Sequence, residues 1–321
     1  MRFVVLYAKR IILSAVMIKT YAIIGTGAIG GYLGMTLAKA GREVHFLLHN
    51  DYEHVLENGL QLDSCFGNYH IDKPFVYDGT SMMPKVDVVI VALKTSMNHI
   101  LPEILPPLLR DDTIVLMTQN GVGVEEDLHS HFPAQAIFGG VVYIASTKIG
   151  PGHIHHEEQN FLKIVNWSGT AEQMASLCAD LNEAGICCRE FPYADARWGK
   201  AMWNMVFNGL TVVTGLSLPE IFHSDSMMEK AMAMIREVQR AGMACGATTL
   251  DEQFIRTMLE TTSGMTHTPS MKEDYDRHHP MEIEFLYTRP IREALAHGCS
   301  MPLISELEAQ LRRLENDVPK I

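Results

Sequence analysis

A doubly wound α/β sheet followed by an all-helical half is the fold the sequence predicts, and three observations predict it. Up to Tyr193, short β-branched and aliphatic runs alternate with helical stretches, the pattern of strand–helix–strand units. The first of these runs ends in a glycine-rich turn, Gly25-Thr26-Gly27-Ala28-Ile29-Gly30, which opens a helix. From Asp195 onward strand patterns give way to long amphipathic helical stretches.

In chain order, residues 20–24 form a short apolar strand, and residues 28–40 form a small-residue helix closed by Gly41. Residues 43–48 make a second strand. Residues 86–93 (VDVVIVAL) and 113–117 make two more. Such aliphatic runs are typical of strands covered on both faces, as in a parallel sheet. Residues 138–146 and 152–165 look like later strands, the second beginning with the histidine-rich Gly152-His153-Ile154-His155-His156. Alternation along a strand sends those histidines to opposite faces, and no carboxylate or cysteine spacing completes a metal site, so no metal is expected. Residues 172–184 read as an amphipathic helix ending at Gly185. The boundary falls at a proline near residues 191–193, which divides the chain into an N-terminal extension (1–16), a Rossmann-type half (17–191) and a helical half (192–321). In that last half, residues 196–214, 226–245 and 283–297 read as helices.

The bulk numbers fit two domains. The chain has 321 residues, 47% hydrophobic and 20% charged, enough for two ordinary cores at roughly 150 residues each. A net charge of -12 leaves no basic surface for a polynucleotide or an anionic membrane, whereas a small anionic substrate can be met by a few local cations. The six cysteines form no CxxC pair, which suits reduced thiols in a cytoplasm. Residues 1–16 are apolar with Arg2, Lys9 and Arg10 but lack an apolar stretch of spanning length, and Met17 is read as the natural start.

The chemistry begins with the glycine turn. It fits GxGxxG between a strand and a helix: Gly25 permits the tight turn, Gly27 lets backbone amides reach a pyrophosphate, and Gly30 lets the helix pack on the sheet. Thr26, Ala28 and Ile29 complete this dinucleotide-binding segment. At the end of the second strand an acidic residue would read the ribose hydroxyls and a basic one a 2′-phosphate. That place reads His49-Asn50, with Asp51 slightly late, so NADP is favoured over NAD. In the helical half Lys200, Asn204 and Asn208 are spaced i, i+4, i+8 and share one stripe among the apolar Met202, Trp203, Val206 and Phe207. A lysine with two amides facing a cleft makes a proton donor with hydrogen-bonding support. The competing reading is a solvated stripe on a surface helix.

With these residues in view the chain resembles the ketopantoate reductase family, from Met17 almost to its end. The motifs stand in the family's order: GxGxxG, then Ala92-Leu93-Lys94, Gln119-Asn120-Gly121-Val122-Gly123, the lysine helix, and Ser270 twelve residues before Glu282. The resemblance implies NADPH-dependent reduction of a 2-oxo acid, with 2-dehydropantoate (ketopantoate) to pantoate as the leading reaction of pantothenate biosynthesis. It assigns the general acid to Lys200, the hold on the reacting oxygen or hydroxyl to Glu282, the positioning of substrate and nicotinamide to Asn120, Asn204, Asn208 and Ser270, and cofactor contact to Lys94. Three positions depart from the pattern. Leu218 and His267 stand where well-known members carry asparagines, and His49 stands where many carry an arginine. Two rivals follow: a reductase of another bulky 2-oxo acid, and a regulator that binds NADP without turnover. Apolar faces in the helical half are compatible with a homodimer.

Overall fold

A computed structural model describes residues 18–317, and the expected extension 1–16 lies outside them. The chain divides into two compact units. The first comprises residues up to Gln119 together with Glu125–Phe191, and the second comprises Asn120–Val124 with the chain from Pro192 onward. One short loop of the first half therefore belongs to the second unit.

The first unit is a ten-stranded sheet in the order β4-β3-β9-β8-β7-β6-β1-β2-β5, with β10 beside β9. Its strands are β1 (Thr20–Ile24), β2 (Glu43–Leu47), β3 (Leu60–Ser64), β4 (Tyr69–Ile71), β5 (Phe75–Tyr77), β6 (Val88–Val91), β7 (Ile114–Met117), β8 (Ala136–Gly150), β9 (His153–Asn166) and β10 (Cys187–Glu190). From β5 through β2, β1, β6 and β7 to β8 every pairing is parallel. The sheet departs from an all-parallel one at the long β8–β9 hairpin, which is antiparallel, and at the β3–β4 pair. Helix α1 (Ala28–Lys39) follows β1, α2 (Tyr52–Asn58) follows β2, α3 (Val124–His131) follows β7, and α4 (Ala171–Glu183) follows the hairpin. The four central strands read as continuous apolar runs because both their faces are buried: Ile23, Ile24, Val88 to Val91 and Leu116 are fully inaccessible. Strands β3, β4, β5 and β10 are half exposed, and their mixed sequences carry no such signal.

The second unit is helical. Helix α5 (Tyr193–Trp203) passes through a π-helical turn (Asn204–Asn208) into α6 (Gly209–Thr214), so the continuous helix expected over 196–214 is widened at its centre. Next come α7 (Leu218–Phe222), α8 (Asp225–Ala244), α9 (Glu252–Ser263) and α10 (Ser270–Asp276). A second π-helical turn (Glu284–Thr288) then leads into α11 (Arg289–Ala296), and α12 (Pro302–Asp317) ends the described chain. Leu210, Ile235, Tyr287 and Leu307 are central to its core, and Val122 of the returning loop is part of it. No helix among the described residues is long and apolar enough to cross a membrane.

Asp195 fixes the start of α5. Its carboxylate accepts the N–H groups of Thr248 (2.6 Å) and Thr249 (2.8 Å) and both their hydroxyls, which ties this helix to the α8–α9 connection. Burial alone would raise its pKa, but the donors outweigh burial and hold it below the usual carboxylate value. A depressed native pKa gives stability that is present above the unfolded-state pKa and is lost as pH falls through the native one. Asp195→Ala should therefore cost about 2 kcal/mol at neutral pH and lose less further stability than the wild type on acidification below about pH 4. Equal acid slopes in denaturant melts would refute that account.

Candidate functional site

In the first unit β1 is the point where the strand order reverses, with β2 on one side and β6 on the other. Ligands of such sheets bind outside the carboxyl ends of the strands at that point. Of the sequence-predicted cofactor residues, Gly25 to Gly30 follow β1, His49 follows β2 and Lys94 follows β6 along this edge, whereas Asn120 belongs to the second unit.

The glycines do three different jobs. Gly25 has φ +99°, and a Cβ there would lie 2.7 Å from the Leu93 nitrogen. Gly30 is closed in as well, because its Cβ would meet the Gly25 carbonyl at 2.1 Å and Ala92 and Ile23 at 3.0 Å. Around Gly27, by contrast, the space is open. Gly27 is the N-cap of α1 and supplies no side-chain cap, and the first turn holds no acidic residue. A pyrophosphate can approach there, since the helix presents uncapped N–H groups, its positive dipole end and no Cβ in the way. Thr26 does structural work, donating from its hydroxyl to the Leu47 carbonyl at 2.9 Å.

His49 is exposed, and its Nδ1 lies 2.6 Å from Asn50 Oδ1. Because an amide oxygen can only accept, Nδ1 is the donor there, and the neutral ring leaves Nε2 as an acceptor. Asp51 is occupied otherwise: it is the N-cap of α2, accepts the Gly152 N–H at 2.8 Å and pairs with Lys148. It is a fastening residue and does not read ribose. Lys94 is exposed and caps the 3-10 turn Thr95–Ile100, beside a loop held by Gln119, whose amide donates to the Leu93 carbonyl at 2.8 Å and to Asn98 Oδ1 at 2.6 Å.

Asn120, Lys200, Asn204, Asn208, Ser270 and Glu282 all belong to the second unit. The loop bearing Asn120 is anchored there at two points. Val122 N–H donates to the Phe285 carbonyl at 3.0 Å, and Gly123 N–H donates to the Tyr193 hydroxyl at 3.2 Å. Gly121, at φ +105°, lies so close to Phe285 that a Cβ would come within 2.6 Å of its carbonyl oxygen. The Phe285 oxygen is free for this because a π-helical turn pairs a carbonyl with the N–H five residues on, and that residue is Pro290, which has none. The two π-helical turns are joined as well, by a buried bond from the Tyr287 hydroxyl to the Met205 carbonyl at 2.8 Å. Gly209 makes room for it, since a Cβ there would lie 2.7 Å from that hydroxyl oxygen.

Lys200 is half-buried on α5, with Nζ 5.6 Å from the Trp203 ring centre. Asn204 (3% exposed) and Asn208 (1%) are sealed in the unit. Asn208 is committed to structure: its Oδ1 accepts the Met271 N–H at 3.4 Å, at the head of the helix that begins with the exposed Ser270, and its Nδ2 lies 3.5 Å from Asn204 Oδ1. Asn204 Nδ2 has no partner among the described residues. Glu282 is 5% exposed and precedes the second π-helical turn by two residues. Leu218, the first departure, is buried in the core (1% exposed), whereas His267 is exposed. No three described His, Cys, Asp or Glu residues gather as a metal site. Tyr193, Phe285 and Tyr287 were not picked out from the sequence. Pro290 in the middle of a helical pattern is the signal that would have pointed to the last two.

Residues 21–169 match the family model described as ketopantoate reductase PanE/ApbA, and residues 193–315 match the model of its C-terminal part. The chain is 37% identical to the 2-dehydropantoate 2-reductase of Nostoc sp. over 305 residues, 92% of this chain and 95% of that one. Among solved structures it is similar to the 2-dehydropantoate 2-reductase of Geobacter metallireducens, with a TM-score of 0.88 and 32% identity over 92% of this chain and 99% of the other. D-mandelate dehydrogenase, solved with NADH and anilino(oxo)acetate, shares the fold at a TM-score of 0.85 and 21% identity over 93% and 99%.

The glycine geometry predicts a split between stability and binding. Gly30→Val should destabilise the chain by more than about 3 kcal/mol, because backbone cannot yield to a Cβ. Gly27→Ala should leave Tm unchanged yet weaken dinucleotide binding about tenfold. Unaltered binding by Gly27→Ala in a fluorescence titration would remove Gly27 from the phosphate contact.

Proposed function

The chain belongs to the ketopantoate reductase family and is an oxidoreductase acting on CH–OH groups, and on that premise we propose that it reduces 2-dehydropantoate to pantoate with NADPH. The observation that carries this reading is the linkage of the predicted substrate residues within the second unit. Ser270 heads the helix that Asn208 caps, Asn208 meets Asn204, the two π-helical turns are bonded to each other, and Phe285 holds the loop of Asn120. Lys200 stands one helical turn before Asn204, and Glu282 precedes the second π-helical turn by two residues.

The glycine turn and α1 would bind the dinucleotide, with Lys94 contributing a cation and His49 a ring nitrogen at the same sheet edge. When bound, the cofactor supplies a hydride to the ketone carbon. Negative charge then develops on the carbonyl oxygen, and the Lys200 ammonium stabilises it and donates the proton that completes the alcohol. Asn204 Nδ2, an unpaired donor in a sealed place, is suited to a substrate oxygen, and Glu282 would orient the reacting hydroxyl. A regulator that binds without turnover would have no use for a half-buried ammonium set beside two sealed amides.

In an NADPH-oxidation assay with 2-dehydropantoate, Lys200→Ala should lower kcat by a factor of about a thousand while dinucleotide binding stays intact. A residual kcat above about a tenth of wild type would contradict the general-acid role. Cofactor choice should depend on position 49: His49→Arg should raise the preference for NADPH over NADH, because a guanidinium can meet a 2′-phosphate with a bidentate pair where one ring nitrogen offers a single contact. A preference that arginine does not alter would take His49 out of the phosphate contact.

A further inference from the structure

We propose that Trp203 is a positioning residue for Lys200, its indole face holding the ammonium where the reacting oxygen takes its proton; the proposal rests on the general-acid reading of Lys200. The two residues are three apart on α5, the spacing that brings side chains together on a helix. Lys200 Nζ stands 5.6 Å from the ring centre, within cation–π range.

The ring itself is fixed from two sides. Its Nε1–H donates to Thr262 Oγ1 at 3.0 Å. Thr262 is buried (1% exposed), and its hydroxyl donates in turn to the Met258 carbonyl at 2.6 Å, so that oxygen presents a lone pair to the indole. Against the ring packs Phe207, with centroids 5.9 Å apart and planes at 45°, and Phe207 stacks on Phe222 at 5.7 Å and 16°.

A rigid aromatic surface suits this duty. A lysine side chain has many rotamers, and proton transfer requires the ammonium in one place. An indole attracts the ammonium through its ring quadrupole without accepting a proton from it. Tryptophan is also the one aromatic residue that joins the best cation-binding face to an N–H with which to anchor it.

The test compares Trp203→Leu, Trp203→Phe and Thr262→Val with the wild type, with Lys200→Ala as the reference, by steady-state NADPH oxidation with 2-dehydropantoate and by thermal melts. Trp203→Leu should lower kcat about tenfold and change KM less than about twofold. Trp203→Phe, which keeps a ring face, should recover most of the loss, and Thr262→Val, which releases the ring's edge, should fall between. If Trp203→Leu does not fold, Thr262→Val decides alone, and an unchanged kcat there overturns the proposal. Full kcat in Trp203→Leu beside an inactive Lys200→Ala overturns it while sparing the general acid, as does a raised KM at constant kcat, the mark of a substrate wall. An active Lys200→Ala overturns the reading and the proposal together.

Discussion

Much of the helical unit's candidate site hangs on a carbonyl that its own helix does not use. Pro290 cannot donate an N–H, and inside a regular α-helix its ring would press on the carbonyl four residues earlier. Widening to a π-helical turn at Glu284–Thr288 relieves that clash and leaves the Phe285 oxygen without a helical partner. A buried carbonyl must find a donor. Here the donor is Val122, so a proline in one helix brings a loop from the end of β7 into the unit and with it Asn120. Gly121 is the counterpart of this contact, since no side chain could pass that close to Phe285.

A comparable constraint governs the sheet edge. Gly25 and Gly30 touch each other and the strand beside them at distances that exclude a Cβ, which lets α1 begin directly above β1. Gln119, at the end of β7, grips Leu93 and Asn98 and so sets the loop on which Lys94 stands. The edge is therefore knit by backbone contacts first, with His49 and Lys94 exposed along it. This explains why Asp51, close by in sequence, makes a poor ribose reader: its carboxylate already serves Gly152 and Lys148.

The sequence made some of this legible, and the reasons for the rest are physical. β1, β6 and β7 announce themselves because burial on both faces leaves only aliphatic residues acceptable. β3, β4, β5 and β10 stay hidden because a short half-exposed strand draws its stability from its partners. The glycine turn is legible because backbone approach forbids a side chain at Gly25 and Gly30. Lys200, Asn204 and Asn208 could be placed on one stripe by spacing, but the widening at Asn204–Asn208 leaves no mark in periodicity. The roles of Glu282 and Ser270 came from resemblance alone, since neither a buried glutamate nor an exposed serine at a helix start is distinctive in itself. Leu218 shows the opposite failure: it stood out as a departure from the family pattern, and burial makes it an ordinary core residue.

What remains is a local conflict that a merely stable helical domain would not keep. Asn204 is 3% exposed, and its Nδ2 has no partner among the described residues, while its neighbour Asn208 spends its own amide on Met271 and on Asn204. An unpaired buried amide costs about 1–3 kcal/mol relative to a paired one. An apolar pair at positions 204 and 208 would remove that cost and cohere with Met205, Val206 and Phe207 of the same core. Natural sequences break local consistency of this kind mainly where function requires it. A ligand carrying an acceptor offsets the penalty only while it is bound, so the unpaired donor favours the complex over the empty unit. On the proposed reading, the amide at position 204 would turn a defect of the core into binding energy for an oxygen-bearing substrate.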